Sequence, residues 1–153
     1  MKQNKRERGQ SLVELAISIT VLVFLLSGAI EFGMMFFQYI QLRDAAQEGA
    51  LFGSINPADT NGIVARVRGA STSPVDLSVT TGPQKVTVVL GGIDKDTLAP
   101  IDLVDACPGD GIQVTVSYNH KVFMPLITQI VGNTRTLNGV VTDTILVSTA
   151  TCP

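Results

Sequence analysis

One carboxylate stands inside the first long apolar run of the chain, where a charged group needs a reason. Glu14 is the only charged residue among the twenty-one residues from Gln10 to Ile30. An acidic side chain at the middle of a bilayer costs ~2.5–3.5 kcal/mol on insertion scales, and such residues usually serve a function. The chemistry open to this group is pairing with a positive charge, since a buried pair is far less unfavourable than either charge alone.

Few other side chains in the chain could do chemistry. His120 is the single histidine and follows a predicted strand, so we expect an exposed loop residue rather than a catalytic base. The sequence contains no Gly-x-Ser-x-Gly motif, no glycine loop that would cradle phosphate and no zinc-ligand cluster. We therefore expect neither an enzyme nor a cofactor nor a small-molecule substrate. A secreted hydrolase ranks third among the hypotheses because it lacks a nucleophile.

Five aspartates in the loop from Gly91 to Gly111 raise the question of calcium. They are Asp94, Asp96, Asp102, Asp105 and Asp110. A calcium loop of the EF-hand type needs an oxygen ligand at its fifth position and glycine at its sixth. Counted from the first of these aspartates, those positions hold Leu98 and Ala99. We expect a solvated loop and no metal site.

The apolar run from Gln10 to Ile30 is long enough to cross a membrane, because a helix needs about 20 apolar residues to span the hydrocarbon core. Residues 2–8 carry a net charge of +3, whereas Arg43 beyond the run is set against Asp44 and Glu48. The positive-inside rule places the more basic flank in the cytoplasm. We therefore predict a single-pass protein of the cytoplasmic membrane, with its N-terminus in the cytoplasm and its C-terminal part outside.

Two simpler interpretations of this run remain open. Residues 27–29, Ser-Gly-Ala, could be a signal-peptide cleavage site that leaves a mature start at Ile30. Apolar periodicity continues through that site as far as Leu42, which disfavours cleavage there. An unprocessed single-pass anchor is the other interpretation, and it leaves the position of Glu14 unexplained.

The two cysteines, Cys107 and Cys152, both follow the apolar run and so lie on the predicted extracytoplasmic side. Oxidising conditions there favour a disulfide. On the chain-entropy model, closing a loop of this length stabilises the fold by up to about 4 kcal/mol. Two free thiols are the alternative, since sequence spacing does not establish proximity.

Three blocks in the first third of the chain carry a family resemblance. They are Arg8–Glu14 (RGQSLVE), Ile30–Gly33 (IEFG) and Asp44–Ala50 (DAAQEGA). Together they resemble the TadE-like pseudopilins of tight-adherence (Tad/Flp) pilus systems, whose N-termini are of the type IV prepilin kind. Many members have an aromatic residue where this chain has Leu15.

The resemblance implies a processing event and a set of partners. A prepilin peptidase would cut after Gly9, and Gln10, usually methylated in related pilins, would become the new N-terminus with Glu14 at the fifth mature position. The freed amine of one subunit can then pair with Glu14 of its neighbour and fix axial register. Implied partners are the peptidase, sibling pseudopilins, pilus platform proteins and membrane lipid. A minor role follows because the major subunits of these pili are very short and lack a globular domain.

The runner-up hypothesis is a single-pass anchored binding or adhesion module with no filament role. It differs from the pilus hypothesis in giving Glu14 no partner. Without the leader the net charge is about −5, so the external part has no basic patch for nucleic acid.

The elements that position these residues form an α+β protein. We predict a cleaved leader over residues 1–9, a long helix over 10–53 that spans the membrane at about 10–30, and an extracytoplasmic domain over 54–153. From Gln10 to Phe52 the helix would be about 65 Å long, and about half of it would protrude with an apolar stripe. Glu31 would then lie at the outer headgroup boundary, as a solvated or snorkelling carboxylate rather than as a second pairing group.

The rest of the chain reads as one short helix followed by strands. Pro57 opens a helix that ends near Gly69. Four antiparallel strands are predicted at 75–79, 85–90, 112–118 and 140–148, the first two forming a hairpin. A small sheet with one apolar face needs cover, and the protruding half of the long helix is the expected partner.

Overall fold

The computed structural model describes residues 5–147 and residue 152. The chain begins with helix α1 (Lys5–Ile55), an unbroken element of 51 residues. At 1.5 Å per residue it is about 77 Å long. The most apolar window of α1, with a mean hydropathy of 2.3, is not buried by the rest of the protein. This window is therefore not part of the domain core. In the described part of the chain α1 is the one helix long and apolar enough to cross a membrane.

A four-stranded antiparallel sheet follows α1 along the chain. The strands are β1 (Val86–Ile93), β2 (Pro100–Ile101), β3 (Gly111–Lys121) and β4 (Thr134–Thr144). Their order in the sheet is β2-β1-β3-β4, and each adjacent pair is antiparallel. The central strand β3 alternates strictly between buried and half-buried residues, as its period-two sequence predicts.

Two short helices complete the domain. Helix α2 (Thr60–Gly69) is capped by Asp59, whose carboxylate accepts a hydrogen bond from the Gly62 amide at 2.9 Å. Its apolar side packs against α1. Helix α3 (Pro125–Val131) lies in the connection between β3 and β4 and starts with proline in its first turn, where no amide hydrogen is needed.

The core lies between the outer half of α1 and one face of the sheet. The helix contributes small and medium residues, and the sheet contributes branched ones; among the fully buried are Leu42, Ala45, Ala46, Ala50, Ile112, Val114 and Val116. Alanines on the helix allow the sheet to approach its backbone closely. The predicted α+β fold, with a long apolar helix whose outer half packs on a small antiparallel sheet, is confirmed.

One predicted strand, 75–79, is wrong, and the bounds of the last strand are wrong in part. The segment 75–79 is a loop that runs beside α1, because the Gln41 side chain takes the place of a strand partner: it donates to the Val75 carbonyl at 3.0 Å and accepts from the Val75 amide at 3.2 Å. The place expected for this segment in the four-stranded sheet is taken by the two-residue strand β2. The last strand starts six residues earlier than predicted, at Thr134, and ends at Thr144, because its polar first half pairs with β3 rather than entering the core. The predicted end of that strand at 148 lies outside the described residues.

The sheet approaches the backbone of α1 closely at Gly139 of β4. A Cβ atom built there would lie 2.6 Å from the Arg43 amide nitrogen and 2.6 Å from the Leu42 carbonyl carbon. Both are backbone atoms, which cannot move aside as a flexible side chain can. In contrast, a Cβ on Gly91 of β1 would meet no atom within 4 Å.

We therefore expect Gly139→Ala to destabilise the domain by about 1–3 kcal/mol, because the methyl group must push β4 away from α1. The matched control Gly91→Ala should be neutral or slightly stabilising, since it only restricts the unfolded chain. Thermal unfolding of the full chain in detergent micelles, followed by near-ultraviolet circular dichroism of its two tyrosines, measures both. Equal midpoints for the two variants would contradict the close approach.

Candidate functional site

The residues at the predicted processing and pairing site lie on one exposed stretch of α1. Gln10 and Glu14 are one helical turn apart and share a shallow depression with Val13, Ile17 and Ser18. The Glu14 side chain is exposed, and no hydrogen bond or ion pair joins it to any described residue. Its carboxylate is therefore open to a partner outside the chain.

Gly9 has no packing reason to be glycine. A Cβ atom at this position would meet no atom within 4 Å, and its backbone does not adopt a positive φ. Alanine is also the better helix former by about 1 kcal/mol. Any requirement for glycine at this position would have to come from another molecule that recognises this part of the chain.

A second polar cluster, not predicted from the sequence, lies where α1 leaves its apolar run. Glu31 and His120 are each only 1% exposed. The Nε2 atom of His120 lies 2.8 Å from Oε1 of Glu31, and its Nδ1 atom lies 2.7 Å from Oε1 of Gln38. The predictions of a solvated Glu31 and of an exposed loop histidine are therefore wrong. Burial occurs because each side chain supplies the hydrogen-bond partner that the other would otherwise take from water.

Secondary-structure periodicity brings these three side chains together. His120 continues the inward face of β3 beyond Tyr118, at the same period of two that buries Ile112 to Tyr118. Glu31 and Gln38 are seven residues apart on α1, which places them two turns apart on the face that carries Leu42. Extending both periodicities by one step would have found the cluster.

Both ring nitrogens of His120 have a hydrogen-bond partner within the cluster, Gln38 at Nδ1 and Glu31 at Nε2. The Phe123 amide also donates towards both Glu31 oxygens, at 3.3 and 3.4 Å. The Glu31 carboxylate is thus hydrogen-bonded within the chain, and the cluster joins β3 to α1.

We expect Glu31→Ala to lower the free energy of unfolding by about 3–5 kcal/mol, because it leaves His120 buried without its partner. The corresponding fall in the thermal midpoint in detergent micelles should exceed about 6 °C. Glu48→Ala, which removes an exposed carboxylate from the same helix, serves as the control and should stay within about 0.5 kcal/mol of the parent. Similar losses in the two variants would exclude a special role for the buried pair.

The far end of the sheet is held by a disulfide and by Asp110. Cys107 and Cys152 form the disulfide, joining the two predicted partners. The buried Asp110 carboxylate accepts from the Lys95 amide at 3.1 Å and from the Cys107 amide at 2.7 Å. The expectation of a wholly solvated aspartate loop is therefore wrong at this residue. Over residues 5–147 and 152, no group of three or more acidic, cysteine or histidine side chains is placed to hold a metal ion.

Asp94 folds the same loop on its exposed side. Its carboxylate accepts from the amide and hydroxyl of Thr97, at 2.7 and 2.8 Å, and from the Asp96 amide at 3.0 Å. These bonds, those from Thr97 first, hold the pKa of the Asp94 carboxyl below its ordinary value. Two of the five aspartates thus organise turns.

Reduction or replacement of the disulfide should loosen the C-terminal part of the chain. We expect the double variant Cys107→Ser, Cys152→Ser to lose up to about 4 kcal/mol, because the bridge closes a 45-residue separation in the unfolded chain. Urea unfolding of oxidised parent, reduced parent and double variant measures the loss. The reduced parent should have the same free energy of unfolding as the double variant. Equal values for all three proteins would show that the disulfide does not constrain the unfolded state.

Comparison with known proteins assigns the helical part of the chain. Residues 9–51 match the family model described as TadE-like protein. Over this segment, which is less than a third of the chain, the sequence is similar to TadE-like proteins. The match contains Gly9, Glu14, Glu31 and Gln38 and ends near the end of α1, whereas His120 and the sheet lie outside it. No curated protein and no solved structure matches the chain.

The match confirms the resemblance carried by the three sequence blocks. The long apolar α1 is consistent with anchoring in a membrane.

Proposed function

We propose that this TadE-like chain is a minor pseudopilin of a tight-adherence pilus. It is made as a precursor, cut after Gly9 by a prepilin peptidase, held in the cytoplasmic membrane by residues 10–30, and inserted beside sibling pseudopilins on the pilus platform. Its domain faces away from the cytoplasm. The observation that carries the proposal is an uncovered apolar face on the TadE-like helix, beyond the membrane segment.

That face consists of large side chains opposite the sheet. Phe32, Phe36 and Phe37 are 66%, 55% and 61% exposed, and Ile40 is 39% exposed. At 1.5 Å per residue, Phe36 lies about 9 Å and Ile40 about 15 Å beyond Ile30 along the helix axis. An aromatic patch of this kind outside the bilayer marks an interaction surface. In an assembly of parallel helices, the helices of sibling subunits would cover it, whereas a simple anchor has no use for it.

Glu14 supports the same assembly from inside the membrane. Cleavage after Gly9 would create an α-amine on Gln10, a positive charge at the membrane face. Because Glu14 is exposed and unpartnered among the described residues, its carboxylate is free to meet the amine of a neighbouring subunit. Both charges are unfavourable alone in lipid and tolerable as a pair, so the pair selects one axial register.

Gly9 supports the processing step. The fold makes no demand for glycine at this position, since a Cβ atom there would be unobstructed. Recognition by a peptidase that requires glycine before the cleaved bond would explain why this position is glycine.

Processing is tested by the mass of the N-terminal peptide of the protein extracted from native membranes. We expect a start at Gln10, with or without a methyl group, and no precursor peptide. A start at Met1 would favour the unprocessed anchor. A start at Ile30 would make the protein a secreted domain and remove the membrane assembly altogether.

The register role predicts a specific phenotype for Glu14→Ala. The variant should be made stably, because the change removes a charge from lipid, yet be incorporated more than about tenfold less, which corresponds to ~1.4 kcal/mol of lost docking energy. Glu48→Ala, outside the membrane segment on the same helix, is the matched control and should be incorporated normally. The measurement is the ratio of this subunit in sheared pili, or in the crosslinked platform complex, to that in total membranes.

The anchored binding module gives the opposite result in the same experiment. With no filament role, Glu14→Ala would insert as well as the parent or better, and its distribution between fractions would not change. Normal incorporation of Glu14→Ala would therefore contradict the proposed pairing of Glu14 with the Gln10 amine of a neighbouring subunit.

A further inference from the structure

The connection between β3 and β4 has a composition unlike the rest of the domain. The thirteen residues from Val122 to Thr134 contain no charged side chain, and they are bracketed by Lys121 and Arg135. Phe123 is 61% exposed, although it begins this apolar segment. Lys121 and Arg135 are exposed too, and they lie at the same end of adjacent strands, where Lys121 is paired with Thr134 and His120 with Arg135. We call residues 122–134 the apolar loop.

The apolar loop lies beside the membrane segment of α1 rather than beside its protruding half. Met124, Pro125 and Ile127 form one wall of a groove of about 500 Å³, and α1 residues between Ile19 and Ser27 form the other. Ser27 is about 4.5 Å and Ile19 about 16 Å below Ile30 along the helix axis. Any window of about 20 residues that spans the bilayer along this apolar run contains the whole groove wall.

The backbone of the apolar loop is largely satisfied within the protein, as a non-aqueous environment requires. Pro125 has no amide hydrogen, and the amides of Ile127 and Thr128 donate to the Met124 carbonyl at 3.0 and 2.9 Å. Val122 donates to the Asn133 carbonyl at 3.0 Å, which closes the base of the loop. The Phe123 amide points to the buried Glu31 carboxylate, as described above.

We propose that the apolar loop is a second membrane-inserted element, with α3 among the acyl chains of the extracytoplasmic leaflet and one acyl chain of an anionic phospholipid seated in the groove between α3 and α1. Lys121 and Arg135 contact the phosphate headgroups at the rim. The inference rests on the proposed anchoring of α1 in the membrane, and it adds a site that the TadE-like match does not cover, since that match ends at residue 51.

The charge distribution of the domain supports this choice of occupant. Cations flank the apolar loop at the membrane end of the sheet, whereas Asp94, Asp96, Asp102 and Asp105 lie in the loops at the opposite end. Lysine and arginine beside an apolar element are attracted to anionic lipid surfaces and can snorkel to headgroup level. The Glu31 carboxylate, which accepts from the Phe123 amide at the start of the loop, is buried and paired with His120.

The absence of tryptophan from the chain allows a direct test. Phe123→Trp and Ile127→Trp each place a single indole in the apolar loop of the full chain, one at its exposed start and one in the groove wall. Val21→Trp reports on the membrane segment of α1, and Val89→Trp is an exposed control in the middle of β1. Each variant is reconstituted into vesicles of phosphatidylcholine and phosphatidylglycerol whose acyl chains carry bromine, a short-range quencher, and is compared with unbrominated vesicles.

We expect bromine to remove most of the emission of the indoles at positions 21, 123 and 127, and aqueous iodide to quench only the indole at position 89. Lys121→Ala with Arg135→Ala should reduce bromolipid quenching at position 123 in vesicles that contain phosphatidylglycerol, and have little effect in phosphatidylcholine alone. Formation of the disulfide confirms folding of each variant.

Three outcomes would overturn the proposal. Quenching at position 21 but not at 123 and 127, with iodide access to position 123, would leave α1 anchored and place the apolar loop in water. Protection of position 123 from both quenchers, dependent on the protein-to-lipid ratio, would mean that a second copy covers it. No quenching at position 21 would contradict both the membrane anchoring of α1 and the insertion of the apolar loop.

Discussion

The pairing of Glu31 with His120 is the constraint on which the arrangement of the domain depends. On the proposed anchoring, Glu31 lies where the helix leaves the bilayer, and a carboxylate there must be hydrated or paired; it is paired with a residue 89 positions later in the chain. Because His120 is near the end of β3, that strand reaches the level of Glu31 and runs antiparallel to α1. The register of β1 and β4 on β3 then places the acidic loops and the apolar loop at opposite ends of the sheet.

One helix meets three environments, and its residues change accordingly. Up to Ile30 most of its side chains are apolar and exposed, which suits lipid. Beyond that point one face carries Ala45, Ala46 and Ala50 into the core, and the opposite face keeps exposed aromatics. The small residues let β4 approach until Gly139 touches the helix backbone. Close packing of sheet on helix fixes the orientation of the domain and thereby leaves the aromatic face open.

The sequence predicts those parts of the structure that local periodicity determines. The long helix, the central strand β3 and the α+β arrangement follow from spacing within single elements. The parts that were missed depend on side chains distant in sequence. The Gln41 side chain bonds the backbone of Val75 and so replaces a strand partner. His120 is buried because it forms a hydrogen bond with Glu31 of α1. The Gln41 contact leaves no signal within its own segment, whereas the burial of His120 continues the period of two in β3. The predicted sites at Gly9 and Glu14 come from the family resemblance together with the unusual position of a carboxylate in an apolar run.

The two carboxylates of the apolar helix make the strongest case that the chain is one part of an assembly. If α1 is anchored as proposed, Glu31 and Glu14 face the same physical difficulty, since each would lie in or at the edge of the hydrocarbon region. For Glu31 the chain supplies a histidine and a backbone amide, and Gln38 holds the other ring nitrogen of that histidine. For Glu14 the described residues supply no partner. In the proposed assembly, that partner is the Gln10 amine of a neighbouring subunit.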